Sequence, residues 1–369
     1  MKNTLKLLTI MLAGTISIAK AQDSLKNNQL TISSYVDAYS AMHNTQSPQT
    51  EFQPYTAVGA RDNSLGVNIA QIGLNFENDH IRSEVIFHAG DIPLATWDSD
   101  YQYLQAANVG MKLTEGLWLD AGFFSTHLGT ESFLPKNNNL SSIAVLTYNE
   151  PFFQSGAKLS WDATDALYVE GWVLNGYHSF VDNNDSKSVG VLVNYNISDN
   201  TSITYTNLYG RENDDDFPLK QRRFYHNVYL DQNWGDEVFL TIGLDYATQT
   251  NSNIDDIEDN ATLFGGLVTA RYQFNPKWSI TGRGELINDE SGFVTGLITD
   301  NSGAQRGLEL FGATLGTEYR PVEQAYLRAE VRYLEAKDNL ELFYDGEPTN
   351  SRVEFLITLG FEMEKVFGF

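Results

Sequence analysis

The side chains that most often perform catalysis or bind metals are sparse and scattered in this chain. It has six histidines and no cysteine, and no two histidines have the His-x-x-x-His spacing of a helical metal site. No Gly-x-Ser-x-Gly sequence is present, so the nucleophile turn of a serine hydrolase is missing. His127 and His178, near the ends of predicted strands, are the only candidates for a hydrolase site. We therefore predict no enzyme activity, no metal and no cofactor.

The charged residues, in contrast, follow a regular pattern. In the stretch 325–333, Arg328, Glu330 and Arg332 alternate with apolar residues, and a period of two is typical of a β-strand with one apolar and one polar face. The same parity predicts a set of inward-facing charged residues on many strands. These pore-lining candidates are Arg82, Lys158, Arg223, Arg271, Arg283, Arg328, Arg332, Arg352, Glu285, Glu330 and Glu354.

Sixteen alternating runs carry these residues, and the connections between them alternate strictly between long and short. Short connections contain turn residues such as Thr114-Glu115-Gly116 and Gly235-Asp236. This arrangement is typical of an all-β, transmembrane up-and-down antiparallel β-barrel of about 16 strands, with short periplasmic turns and long extracellular loops. The predicted strands are 30–41, 64–77, 80–91, 101–113, 117–127, 151–161, 167–177, 187–197, 201–211, 222–234, 237–248, 261–274, 278–288, 305–319, 324–335 and 352–369.

The composition agrees with a barrel and excludes several other classes. The net charge is −24, which argues against nucleic-acid binding because phosphate contacts need a basic surface. No run of about 20 apolar residues is present, as a membrane-spanning helix would need. Aromatic residues cluster beside the short turns, where an outer-membrane barrel has its girdle. These residues are Phe76, Trp161, Tyr195, Trp234, Phe274, Trp278 and Tyr319.

Both ends of the sequence indicate export to the outer membrane. Residues 1–21 have the features of a cleaved secretory signal peptide, with Lys2 and Lys6 before an apolar segment and Ala19-Lys20-Ala21 as the cleavage pattern. Residues 22–369 would then form the barrel. Phe369 ends an alternating strand, so we interpret it as part of the sorting signal read by the barrel assembly machinery.

The inward-facing charged side chains need water or ion-pair partners, since an unpaired buried charge costs several kcal/mol. Two kinds of barrel interior would supply them. One is a water-filled pore, in which an arginine wall facing acidic residues selects solutes by charge. The other is a closed interior in which the arginines pair with neighbours such as Glu285, Glu330 and Glu354. Barrels of about 16 strands are too wide for side chains alone to fill, which favours the pore.

The third long connection, Leu128–Glu150, is unusual for its apolar content. It includes Phe133, Leu140 and Ile143 and only three charged residues, and exposed apolar surface costs about 25 cal/mol per Å² in water. We therefore predict that it folds into the lumen and narrows the pore opposite the arginine-bearing strands. The alternative is that it caps the outer mouth or contacts a neighbouring subunit.

Several segments resemble the OmpL-like β-barrel porin family, also called beta-barrel porin type two. The resemblance implies an outer-membrane channel for small solutes and carries over no site residue. The segments are Leu30–Tyr39 (LTISSYVDAY), Leu117–Ser132 (LWLDAGFFSTHLGTES), Asn149–Trp161 (NEPFFQSGAKLSW), Val173–His178 (VLNGYH) and Arg222–Gln232 (RRFYHNVYLDQ).

These observations predict a porin that forms a water-filled channel for passive diffusion of small hydrophilic solutes. The alternative function is a non-conducting barrel with a role in adhesion or envelope structure. The partners expected are outer-membrane lipid and lipopolysaccharide, the barrel assembly machinery, small hydrophilic solutes and other copies of the chain. The acidic runs at 214–216 and 255–259 lack the spacing of a calcium-binding loop, so we interpret them as solvated surface.

Overall fold

The computed structural model describes residues 28–46, 51–300, 303–337 and 340–369. The predicted signal peptide, residues 1–21, lies outside the described residues. The remainder forms one closed antiparallel barrel of sixteen strands in which each strand pairs with its neighbours in sequence. The all-β, sixteen-strand prediction is therefore confirmed.

The strand bounds lie close to those predicted. The strands are β1 (Gln29–His43), β2 (Ser64–Glu77), β3 (Ile81–Ala89), β4 (Leu104–Thr114), β5 (Leu117–Ser125), β6 (Phe153–Thr164), β7 (Leu167–Leu174), β8 (Ser188–Ser198), β9 (Thr201–Arg211), β10 (Arg222–Trp234), β11 (Val238–Gln249), β12 (Ala261–Asn275), β13 (Trp278–Asp289), β14 (Leu308–Val322), β15 (Ala325–Ala336) and β16 (Ser351–Gly368). Two-residue strand pairs decorate two long connections, Ile298–Thr299 with Gln305–Arg306 and Phe343–Tyr344 with Pro348–Thr349.

The described helices are short and lie in the long connections. They are α1 (Asp91–Thr96), the single 3-10 turn Pro135–Asn137 and α2 (Val145–Asn149). Within the described ranges, no helix is long and apolar enough to cross a bilayer.

The barrel closes where the first and last strands pair. β1 runs antiparallel to β16 over its whole length, from Gln29 opposite Gly368 to His43 opposite Glu354. The backbone N–H of Phe369 then donates to the carbonyl oxygen of Asn28 at 3.1 Å. Closure leaves no strand edge exposed, which a membrane-spanning sheet requires because lipid offers no hydrogen-bond partner.

The two faces of the wall differ as the alternation predicts. On β15, Leu327 and Val331 are 44% and 37% exposed, whereas Arg328 and Arg332 are almost completely buried. The outer face is thus apolar and the inner face charged, as in outer-membrane barrels. Near the short turns, Trp161, Tyr195 and Trp234 are about half exposed, and the rings of Trp278 and Tyr319 lie 4.7 Å apart, which fits a girdle.

The long connections contribute two apolar clusters that pack against inward-facing wall residues. The first joins Ala57 and Val58 of the first connection to Trp97, Phe133 and Phe180. The second joins Leu128 and Leu146 of the third connection to wall residues such as Trp172 and Leu263. The interior of this wide barrel therefore contains an apolar core, and the long connections contribute much of it.

Candidate functional site

Strands β13 to β16 carry a ladder of buried ion pairs on their inner face. Glu285 accepts from Arg332 at 2.9 Å and lies 3.5 Å from Arg283. Glu354 lies 2.5 Å from Arg352 and 3.6 Å from Arg332. These positions are brought together because antiparallel neighbours place alternate residues side by side on one face. The arginines are thus paired with neighbouring carboxylates. This is the arrangement expected of the closed interior, one of the two alternatives predicted from the sequence.

A second group of ion pairs continues the ladder toward the short-turn end. Glu318 of β14 receives Arg328 at 2.8 Å, Arg271 at 3.1 Å and Arg320 at 3.2 Å. Three cations around one carboxylate leave positive charge for other acceptors, and those acceptors come from the third connection.

The third connection, residues 128–150, lies directly on this ladder. Arg283 donates to the carbonyl oxygen of Ser142 at 2.6 Å and to Glu131 at 2.9 Å. Arg328 donates to the carbonyl oxygens of Pro135 and Asn138, both at 2.8 Å. The arginines therefore satisfy backbone carbonyl groups that an irregular buried segment would otherwise leave unpaired.

Carboxylates of the wall bind the same segment through its N–H groups. Glu330 accepts from the backbone N–H of Ser141 and from the hydroxyl of Ser142, the latter at 2.6 Å. Glu285 accepts from the backbone N–H of Val145 at 2.5 Å. Charge-assisted bonds of this kind are roughly twice as strong as neutral ones, so the segment is fixed at several points along its length.

One part of the sequence prediction is wrong. The connection does not face the arginine-bearing strands across open space, because it contacts Arg271, Arg283 and Arg328 directly. The physical reason is that a segment with many buried peptide groups needs donors and acceptors, and these strands supply both. Its apolar residues, such as Leu140 and Leu146, pack against the wall close to Gly316 and Gly265.

Three predicted residues lie outside the ladder. Arg223 of β10 donates to the carbonyl oxygen of Phe293 at 2.6 Å and lies over the ring of Tyr177 at 4.6 Å. Arg82 of β3 binds Asp120 through two nitrogens, at 2.6 and 2.5 Å. Lys158 of β6 lies 3.3 Å from Glu170. The predicted set is thus divided among three places on the wall.

Two cavities of about 350 Å³ each adjoin this inner surface. The first, the β3–β6 cavity, is lined by Arg82, Glu84, Asp120 and Lys158 among others. The second, the loop cavity, lies between the third connection and wall residues Leu192 and Tyr229. The ladder arginines line neither cavity.

Glu150, at the end of the third connection, lines the loop cavity and lies near Asp245 of β11. The hydroxyl of Tyr225 lies 3.4 Å from Glu150, and Asn227 donates to Asp245 at 3.0 Å. Burial, with the negative charge of Asp245, raises the pKa of Glu150 well above its ordinary value.

The structure places the two candidate histidines, His127 and His178, in separate contacts. His127 places its ring nitrogens 2.8 Å from the Gln154 side chain and 2.9 Å from the carbonyl oxygen of Asn207. His178 is exposed, and its Nε2 accepts from the backbone N–H of Phe152 at 3.5 Å. In the described part of the chain, no group of three potential metal ligands occurs.

The inward packing of the first connection, residues 44–63, was not predicted from the sequence. Ala57, Val58 and Ala60 are almost fully buried, and the N–H of Gly59 donates to Asn68 at 2.7 Å. Arg61 of this connection also pairs with Asp91 at 3.0 Å. The available signal was the stretch 52–60, which has no charged residue and so resembles the sparsely charged third connection.

Comparisons with known proteins agree with this architecture. A family model described as "Putative beta-barrel porin-2, OmpL-like" matches residues 29–363. No curated protein sequence matches the chain.

Solved structures resemble the chain in fold at low sequence identity. The anion-selective porin from Comamonas acidovorans is 10% identical with a TM-score of 0.60, and the match covers 91% of this chain and 100% of that one. The outer-membrane channel DcaP of Acinetobacter baumannii is 11% identical with a TM-score of 0.59, covering 90% and 97%. The trimer form of OmpT from Vibrio cholerae is 14% identical with a TM-score of 0.57, covering 90% and 99%.

Proposed function

Because the chain belongs to the family described as "Putative beta-barrel porin-2, OmpL-like", we propose that it is an outer-membrane channel for passive diffusion of small hydrophilic solutes. The observation that carries the proposal is the pair of cavities lined by charged side chains inside a closed barrel. Charged groups of this kind need water or partners, so a hydrated path along β3–β10 is the function that fits them.

The path we propose runs beside the third connection and avoids the ladder. The side chains of Arg283 and Arg352 are completely buried, and that of Arg332 is nearly so. By contrast, Arg82 and Lys158 keep 28% and 20% of their side-chain surface exposed. We therefore assign the ladder to fixing the loop and the β3–β6 side to lining the channel, with no catalytic role for either.

A second candidate function is a non-conducting barrel with an adhesive or structural role. The paired ladder and the two apolar clusters favour it, because both occupy space that an open pore would use. The cavities that remain beside the ladder and the apolar clusters favour a channel instead.

Single-channel recording separates the two functions. The purified barrel, shown to be folded by its heat-dependent shift in gel mobility, is added to planar lipid bilayers, and the same sample after heating serves as the control. Discrete conductance steps that disappear on heating support the channel. A folded sample that inserts into the bilayer without conductance steps contradicts it and supports the structural role.

Self-association belongs to the same proposal, and its support is the trimer form known for OmpT of Vibrio cholerae. Crosslinking in native outer membranes tests it. Bands at integral multiples of the monomer mass are expected, whereas a monomer band alone would contradict self-association.

A further inference from the structure

The loop cavity differs from the β3–β6 cavity in the charge of its lining. The β3–β6 cavity is lined by Arg82 and Lys158 together with three acids. The loop cavity has neither lysine nor arginine among its described lining residues, and its two acids are Glu131 and Glu150. The Glu131 side chain is 10% exposed and pairs with Arg283, and Glu150 is buried. The accessible lining of the loop cavity is therefore mainly neutral.

Two hydroxyl groups of the third connection have an unused proton at this cavity. The hydroxyl oxygen of Ser132 accepts from the backbone N–H of Leu134 at 3.1 Å, and that of Thr130 accepts from Asn227 at 3.0 Å. A hydroxyl group also carries one proton to donate, and neither of these protons has an acceptor among the described residues. Both residues line the cavity and are partly exposed, so a solute in the cavity can accept from each.

Two further polar side chains of the same segment have an oxygen that lacks a partner. Asn137 is exposed, and its Nδ2 donates to the hydroxyl of Ser132 at 3.3 Å, whereas its amide oxygen accepts from none of the described residues. The hydroxyl oxygen of Thr147, which is buried, has no hydrogen-bond partner in the described ranges. Because buried polar groups are normally paired, this lining indicates an occupant that forms hydrogen bonds.

The other side of the loop cavity is formed by Leu192 of β8 and Tyr229 of β10, both partly exposed. The cavity thus has an apolar and aromatic wall facing neutral donors and acceptors. Small-molecule sites of about 300–1,000 Å³ combine apolar walls with a few polar groups that orient the ligand, and this cavity of about 350 Å³ lies in that range. Sugars present both kinds of surface, with C–H faces and hydroxyl edges.

From this lining we propose that the loop cavity is a binding subsite for small, neutral, polyhydroxylated solutes such as monosaccharides. The inference rests on the proposed channel function and names the class of solute that the channel binds during passage. Hydroxyl groups of the solute exchange hydrogen bonds with Thr130, Ser132 and Asn137, while a C–H face lies against Tyr229. A solute with a formal charge loses hydration there without a free counter-charge, so its binding is weaker.

The solute class is tested with three probes of nearly equal size. Glucose is neutral, gluconate is an anion, and glucosamine is a cation in slightly acidic buffer. Uptake of each labelled probe is measured in liposomes that contain the folded barrel, in high potassium chloride so that no membrane potential opposes the charged probes. We expect glucose to enter faster than either charged probe. In planar bilayers, added glucose should reduce the single-channel potassium chloride current to a saturating level.

Variants locate the subsite through the glucose concentration that gives half of this reduction. Asn137→Leu removes an exposed amide, and Tyr229→Leu removes the ring while keeping apolar bulk. The loss of one hydrogen bond or ring contact should raise that concentration about threefold or more in each variant. Asn75→Leu is the matched control, because Asn75 is a partly exposed, inward-facing residue that lines the other cavity, and it should leave the concentration unchanged.

The outcomes distinguish this inference from the proposed function. A folded barrel without conductance contradicts the channel function. A conducting barrel whose current is insensitive to glucose, or is reduced equally by all three probes, contradicts only the subsite and assigns the unpaired groups to water. An equal rise in Asn75→Leu and Asn137→Leu would show that glucose does not bind specifically at the loop cavity. Asn137 is exposed, so its variant keeps the test decisive if Tyr229→Leu does not fold.

Discussion

Arg283 of β13 donates a hydrogen bond of 2.6 Å to the backbone carbonyl oxygen of Ser142, which lies in the connection between β5 and β6. One wall residue thereby holds a segment that is remote in sequence. The same guanidinium binds Glu131 near the start of that segment. The position of the loop is consequently set by residues of the wall.

Replacing Arg283 with Ala should destabilise the barrel. The change leaves Glu131 and Glu285 without this partner, and removing one member of a buried ion pair costs about 3–5 kcal/mol. The temperature at which the folded band disappears in gel electrophoresis should fall. Lys337→Ala is the control, because the Lys337 side chain is 60% exposed in its pair with Glu309 and its loss should leave that temperature unchanged. Equal temperatures for both variants would show that Arg283 does not anchor the loop.

Shortening the third connection should enlarge the channel. Replacement of residues 137–147 by a short Gly-Ser linker removes the contacts with Arg328, Glu330 and Glu285. Single-channel conductance should rise, and larger sugars should enter liposomes that contain the variant. The control replaces the equally long stretch 250–260, which lies in an acidic loop. Unchanged conductance and size exclusion in a folded 137–147 variant would contradict a constricting role for the loop.

The stability of the barrel should fall as the pH rises above the ordinary carboxyl range. Burial raises the pKa of Glu150 from 4.5, so the folded chain binds a proton that the unfolded chain has released. Stability from this group is complete below pH 4.5 and declines as the pH rises toward the elevated pKa. Asp245, Glu131 and the hydroxyl of Tyr225 face the group and supply no positive charge.

This dependence is measured as the midpoint of thermal unfolding from about pH 5 to about pH 8. Glu150→Gln cannot ionise and should show a smaller decline than the wild type. Glu323→Gln, an exposed acid in a short turn, is the control. If the unfolding midpoints of the wild type and Glu150→Gln fall in parallel as the pH rises, Glu150 is not the cause of the decline.

Deletion of Phe367–Phe369 should lower assembly far more than it alters the pore. Phe367 pairs with Leu30 where the barrel closes, and the ring of Phe369 lies 6.4 Å from that of Phe76. The amount of heat-modifiable protein in outer membranes measures assembly, and Phe369→Tyr, which keeps a terminal aromatic ring, is the control. Normal levels of the truncated protein would show that the terminal aromatic residue is incidental.

The strands could be predicted closely because lipid outside and charge inside impose a period of two. Strands 64–77, 201–211 and 222–234 have the predicted bounds. Predicted strand 167–177 ends three residues earlier, at Leu174, because Tyr177 packs into the interior core. Apolar residues that continue past a strand cannot be separated from it by alternation alone.

The partners of the inward charges could not be predicted in the same way. The alternation of residues predicted that Arg332 and Glu285 face inward. Their contact at 2.9 Å depends on the register of β14 with both β13 and β15. The proximity of Glu150 and Asp245 could not be predicted either, because one acid belongs to a connection and the other to the wall. Such contacts depend on where a loop folds back, and the local sequence does not encode that position.

The pairing of β1 with β16 has a consequence for how the protein is made. Until the final strand is in place, the growing sheet has two open edges, each a template for unwanted pairing with another chain. Local hairpins can form early, but the pairing of β1 with β16 has the longest separation in sequence and must wait until β16 has been synthesised. A chain that lacks β16 would therefore keep two exposed strand edges that can pair with other chains, whereas the closed barrel has none.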